Sequence, residues 1–440
     1  MQALRRTQRS IFLFWAPLAA TWIMMASEGP FLAAVIARLP DATFNLASYG
    51  VAIAIAIVIE APVIMLMSAA TSVVRDRITY IKLRNFTRAL NAATTVVLLI
   101  VLVPAVYRWL TGSLMGLPAE VADLTYGALW FFLPWPSAIG YRRFLQGVLI
   151  RSGKTKLVAY GTVTRLGGVV AAALFGFFVL DIPGAWVGAL SLATGVCVEA
   201  LAARVMAADT VRGLLSGEVD PPGPPRTVRY RQVASFYYPL ALTSLIGLAV
   251  HPMLTFFMGH SIAPVESLAV FPVVHSLSFF FRSMGLAFQD AAIALMGDRF
   301  AHLPELERFG TSLGLATSAG LALVAFTPLS RVWFGTVSGL SPELTAFALR
   351  PAQLIVPLPA LSVLLSLQRA VLVEGRLTRH ITVASALEVA MVALSFVTFA
   401  HALGAVGATA AFGAFLVGRA ASNSYLMLGC RSVVRSRTRS

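Results

Sequence analysis

Long apolar stretches alternate with short polar breaks along the whole chain, and the stretches are of similar length. They run approximately over 11–37, 44–73, 86–110, 122–149, 157–180, 184–208, 232–258, 264–294, 309–333, 345–373, 378–400 and 403–428. At about 1.5 Å of rise per residue, about 20 apolar residues cross the ~30 Å hydrocarbon layer of a bilayer. The pattern predicts an all-α integral membrane protein with about 12 transmembrane helices.

The second six stretches repeat the first six. Phe14-Trp15-Ala16-Pro17-Leu18-Ala19 returns as Phe236-Tyr237-Tyr238-Pro239-Leu240-Ala241, 222 residues later. The same separation carries Pro30 onto Pro252, Leu46-Ala47 onto Leu268-Ala269 and Asp76-Arg77 onto Asp298-Arg299. It also carries Gln146 onto Gln368 and Gly153-Lys154 onto Gly375-Arg376. Each half holds an even number of spans, so both halves enter the membrane from the same side and the two repeats are parallel. The expected division is a six-helix lobe over 1–208, a proline-rich linker over 209–230 containing Asp220-Pro221-Pro222-Gly223-Pro224-Pro225, and a second six-helix lobe over 231–440. Prolines within the spans, at matched places such as Pro17 and Pro239, predict kinks that suit bundles able to bend.

Composition agrees with the bilayer as solvent. Of 440 residues, 58% are hydrophobic and 12% charged, against about 25% charged in an average soluble domain. The formal net charge of +15 is informative through its placement. Arg75, Arg77, Lys82, Arg84, Arg151, Lys154, Lys156, Arg212, Arg226, Arg229, Arg231, Arg299, Arg308, Arg376 and Arg379 fall on one set of connections, whereas the opposite set offers Arg38, Arg108 and Arg331. The positive-inside bias predicts a multi-pass cell-membrane protein, inner or plasma membrane, with both termini cytoplasmic. These basic loops point to membrane lipids as partners, not nucleic acid. Arg5, Arg6 and Arg9 before an apolar run imitate a signal peptide, but the run is too long for one and reads as a retained first span. Two cysteines, Cys197 and Cys430, build neither a disulfide framework nor a metal site.

Charges inside the membrane are the candidate chemistry, because each costs at least about 2.5–3.5 kcal/mol at mid-bilayer. Glu60 and Arg282 stand at the 222-residue separation, which puts a carboxylate and a guanidinium at equivalent depths. Either they pair with each other, or Arg282 holds an anionic substrate through its fork of donors. Arg142, Arg143 and Arg369 either join that substrate site or snorkel to lipid phosphate from helix ends. Gln146 and Gln368 line the site as neutral donors or pack between helices. Glu199, Arg419, Arg165 and Glu388 read as lobe-stabilising ion pairs or as further substrate contacts. Glu28, before Gly29-Pro30, and His251, before Pro252, are candidates for ion coupling; a carboxyl held by a structural hydrogen bond is the alternative for Glu28. His275 is a further titratable group within a span.

Leu46-Ala47-Ser48-Tyr49-Gly50 with Pro62 and Arg75-Asp76-Arg77 resembles the second span and following loop of the progressive ankylosis protein family. Tyr237-Tyr238-Pro239-Leu240-Ala241-Leu242, His251-Pro252 and Leu403-Gly404-Ala405-Val406-Gly407-Ala408-Thr409 resemble its seventh and twelfth spans, with His251 where that family is expected to carry a basic residue. The family belongs to the multidrug/oligosaccharidyl-lipid/polysaccharide exporter (MOP) superfamily, alongside the multidrug and toxic compound extrusion (MATE) transporters. The resemblance implies two parallel six-helix repeats around a central cavity, alternating access, and small anions such as pyrophosphate, nucleotides or citrate as substrates.

The sequence contains no Gly-rich phosphate loop, no metal-ligand spacing and no catalytic motif. The expectation is a monomeric secondary transporter without a cofactor, not an enzyme, exporting small organic or phosphate-containing anions. The alternatives are a cation or multidrug exporter, a lipid-linked saccharide flippase on the same fold and, in a different class, a lipid-modifying membrane enzyme.

Overall fold

The computed structural model describes residues 7–217, 229–297, 300–375, 377 and 379–438. The core of the expected linker, Asp298-Arg299 and Arg376 lie outside these residues, so the linker and two of the sequence matches carry no structural statement.

The described residues are helical throughout the apolar stretches. In the first half the helices are α1 (Gln8–Ile36), α2 (Ala42–Glu60), α3 (Leu66–Val73), α4 (Arg77–Val101), α5 (Pro104–Arg108), α6 (Ala119–Phe131), α7 (Trp135–Arg151), α8 (Thr155–Phe178) and α9 (Gly184–Ser216). The second half contains α10 (Tyr230–Leu248), α11 (Val250–Gly259), α12 (Pro264–Leu295), α13 (Leu303–Phe326), α14 (Leu329–Arg331), α15 (Pro342–Leu354), α16 (Leu358–Glu374), α17 (Arg379–Val397) and α18 (Gly407–Thr438). Among the described residues, seven helices are long and apolar enough to cross a membrane, or up to ten if each bent pair forms one span. α6 with α7, and α18, cover the two remaining apolar stretches. α9 continues to Ser216, so the first part of the expected linker is helix.

Proline accounts for the main breaks. Pro62 ends α2 in a tight turn at Ala61–Val63, and Pro104 opens α5 after a 70° bend from α4. Pro252 has no N–H and crowds the carbonyl four residues back; that carbonyl belongs to Leu248, where α10 ends. Pro30 holds the matching place in α1, which nevertheless runs unbroken.

Two compact units result: Met1–Arg38 with Phe256–Ser440, and Leu39–Thr255. The division differs from the expected lobes 1–208 and 231–440, because the first helix of each repeat packs with the other repeat. In the first unit Trp15 Nε1 of α1 donates to the Met284 carbonyl at 3.1 Å and meets the Phe309 ring edge-on at 5.7 Å. In the second unit Tyr237 of α10 donates its hydroxyl to the Pro62 carbonyl at 2.5 Å and meets Phe86 edge-on at 5.2 Å. Trp15 and Tyr237 are repeat partners, as are Pro62 and Met284, so the exchange is made in the same way on both sides.

The repeat is visible in backbone detail, and its register changes once. Asp41 and Ala263 both adopt left-handed conformations, at φ 52° and 53°, before α2 and α12. Asn45 Oδ1 accepts from Ala185 N at 2.8 Å, and Ser267 Oγ accepts from Ala408 N at 3.1 Å. The 222-residue separation therefore holds at Asn45 and Ser267, and again at Pro62 and Met284, on both sides of Glu60 and Arg282. From Phe86 and Phe309 onward it is one residue longer. The π-helical turns Trp109–Leu114 and Val332–Val337 match in this longer register. So do the left-handed Gly116 and Gly339 that follow them, and so do α7 and α16. The extra residue corrects one sequence match: Gln146 is equivalent to Arg369 rather than Gln368. The change falls after α3 and α12, whose ends, Val73 and Leu295, still stand 222 residues apart.

Candidate functional site

Each unit buries a cluster of charged side chains. In the Leu39–Thr255 unit, Arg142 and Gln146 stand one turn apart on α7, and both face Glu199 of α9. Arg142 Nη1 donates to Glu199 Oε2 at 2.5 Å, and Gln146 Nε2 donates to Oε1 at 2.9 Å. Both carboxylate oxygens are thus held, and Glu199 is fully buried. α9 also lies close against α8: a Cβ on Gly195 would lie 2.3 Å from Val169 and 3.0 Å from the Arg165 carbonyl.

Glu60, at the end of α2, accepts a hydrogen bond from the Trp135 indole. Arg143 reaches the Met67 sulfur at 3.8 Å. Arg165 on α8 interacts electrostatically with Glu60, Arg142 and Arg143. The cluster therefore combines three guanidiniums with two carboxylates. Arg142 is 4% exposed, which removes the expectation that it snorkels to lipid.

The other unit builds its cluster on α12, α16, α17 and α18. Arg419 Nη2 and Nε donate to Glu388 Oε1 at 2.7 and 2.9 Å. Ser362 Oγ accepts from Arg419 Nη1 at 3.3 Å and from Arg282 Nε at 3.1 Å. The Phe415 ring faces both guanidiniums, with Arg282 Cζ 4.8 Å and Arg419 Cζ 5.5 Å from its centre, each a cation–π contact. Arg369 reaches Ser385 at 3.5 Å and also interacts electrostatically with Arg419 and Glu388. Three guanidiniums here share the single carboxylate of Glu388. Arg369 Nε is buried without a hydrogen-bond partner. Gln368 turns away from this group and donates to the Asn423 carbonyl at 3.0 Å.

The structure thus joins Arg142, Gln146 and Glu199 in one unit, and Arg282, Arg419 and Glu388 in the other. Within their own units the partners of Glu60 and Arg282 are Trp135 and Ser362. Glu28 is buried on α1, and His251 lies at the start of α11; they belong to different units. His275 stacks between Phe271 and Phe279. Sequence reasoning passed over Trp135, Ser362 and Phe415. Only Phe415 left a signal, four residues before Arg419 and hence on the same helix face.

No protein-family model matches the chain, and no curated protein does. Solved structures do match. An inward-facing multidrug resistance MATE family transporter of the MOP superfamily is similar at a TM-score of 0.71 and 14% identity, over 97% of this chain and 99% of that one. The lipid II flippase MurJ, in an inward closed conformation, is similar at 0.71 and 12%, over 96% and 87%. A MOP superfamily transporter from Pyrococcus furiosus, described as having a binding pocket of reverse polarity, is similar at 0.66 and 14%, over 99% and 97%. The chain is a multi-pass helical membrane protein with the fold of the MOP-superfamily transporters.

Proposed function

We propose that the chain is a secondary transporter that exports small organic or phosphate-containing anions by alternating access. The observation that carries this reading is the charge surplus around Glu388, where Arg282, Arg369 and Arg419 share one carboxylate. Buried guanidiniums without matching carboxylates favour carboxylate or phosphate oxygens, which they bind through paired, charge-assisted hydrogen bonds. The resemblance to the progressive ankylosis family supports pyrophosphate, nucleotide or citrate as the substrate class. A pocket of reverse polarity in the Pyrococcus furiosus transporter supports the view that this fold accepts different cargo charges. Glu28 and His251 are the groups proposed to couple transport to protons, and the basic loops support a cytoplasmic position for both termini in the cell membrane.

A second reading, extrusion of cations or flipping of a lipid-linked saccharide, is favoured by the MATE and MurJ likenesses and by the two buried carboxylates Glu60 and Glu199. Binding of pyrophosphate, citrate and a lipophilic cation to wild type and Arg282→Ala in matched detergent separates the two. The expected outcome is a loss of anion affinity of about 1.5–3 kcal/mol, the scale of a hydrogen bond to a charged group, with cation binding unchanged. Wild-type anion affinity in Arg282→Ala would sink the anion reading.

A further inference from the structure

A cavity of about 300 Å³ lies between α4, α7 and α9, away from the buried clusters, and is lined by Tyr80, Arg84, Arg88, Tyr141 and Arg204 among others. Among the described residues, no acidic one lines it. Arg84 and Arg88 stand one turn apart on α4, a spacing at which like charges destabilise a helix. Arg204 approaches from α9 and donates through Nη1 to the Tyr141 hydroxyl at 3.1 Å, which leaves the phenol proton available as a further donor. Arg84 lies 5.8 Å from the Tyr80 ring centre, and its Nε is buried without a hydrogen-bond partner. Three cations around one cavity, with donors left over, lack a counter-charge.

The repeat supplies an internal control. The second half forms the equivalent cavity, about 370 Å³ between α13, α16 and α18. At the 223-residue separation Leu303 replaces Tyr80, Glu307 replaces Arg84, Leu364 replaces Tyr141 and Met427 replaces Arg204. The equivalent cavity carries one arginine, Arg431, beside the carboxylate of Glu307, so the cluster of three arginines without a carboxylate is particular to one copy.

We infer that the α4–α7–α9 cavity binds a phosphate group, with Arg84, Arg88 and Arg204 as its guanidinium donors. Their forked N–H groups match phosphate oxygens. The cavity opens where α4 and α9 leave the basic connections, and Leu201 and Val205, which flank Arg204 on α9, are 64% and 75% exposed. A lipid headgroup with its acyl chains along that apolar face and a soluble phosphate ester present the same chemistry.

The test is binding to the full chain in neutral detergent, with dioctanoyl phosphatidylglycerol and glycerol 3-phosphate as probes. The variant Arg88→Gln/Arg204→Gln changes two exposed side chains, so folding is expected to persist, and its melting temperature without probe checks this. Each arginine removed is expected to weaken binding about fivefold, while Glu307→Gln, in the equivalent cavity, leaves it unchanged. Arginine-dependent binding of the lipid alone assigns the headgroup as ligand, and arginine-dependent binding of both probes assigns the phosphate group from either source. Wild-type affinity for both probes in the double variant, or equal losses in Glu307→Gln, overturns the assignment.

Discussion

Glu199 shows how a carboxylate is given partners away from water. Two donors one turn apart on α7 hold both its oxygens, so neither charge of the pair is left bare. Removing one partner of such a pair typically costs about 3–5 kcal/mol, whereas replacing both with apolar groups costs far less. Arg142→Met is therefore expected to lower unfolding stability in detergent by that amount, and Arg142→Met/Glu199→Leu to recover most of it. An equal loss in the single and double variants would show that the charge pair is not the cause. At this scale the charged members of both clusters were legible in the sequence, because an ionisable residue within an apolar stretch stands out. Their partners were not. Trp135 and Ser362 are neutral residues on other helices, and nothing local distinguishes them from packing residues.

Helix pairs are set by close backbone approach. Gly195 brings α9 onto α8, and Gly418 brings α18 onto α17 at the equivalent place, where a Cβ would lie 2.4 Å from Val392 and 2.9 Å from the Glu388 carbonyl. Small residues at such crossings let membrane helices pack without a hydrophobic drive. Gly195→Ala is expected to cost about 1–3 kcal/mol by overpacking. Gly167→Ala, where nothing lies within 4 Å, should be neutral or stabilising by up to about 1 kcal/mol. Thermal unfolding of the two variants side by side checks this, and equal effects would refute the crossing argument. The spans themselves were legible because hydropathy reports them directly. The one-residue change of register was not, since matches among apolar residues score alike at either separation. Only aligned turns, such as Gly116 with Gly339, reveal it. A one-residue slip on a helix turns a side chain by about 100°, enough to take Gln368 out of the role expected for it.

The molecule is also ordered in time by its connectivity. One unit needs Met1–Arg38 together with Phe256–Ser440, so the first helix made is among the earliest parts of a unit finished last. During synthesis Trp15 has neither Met284 nor Phe309 to pack against until more than half the chain has emerged. Tyr237, by contrast, finds Pro62 and Phe86 already in place. Assembly is therefore sequential: the Leu39–Thr255 unit closes first, with α1 held in the bilayer as an unpaired hydrophobic rod. A chain cut within 218–228 and expressed as two pieces is expected to give two incomplete bodies when the pieces are made separately. Co-expression should restore a protease-resistant complex that co-purifies, because each piece carries the helix that the other lacks. The duplication thus makes each half depend on the other to finish a unit, one on α10 and the other on α1.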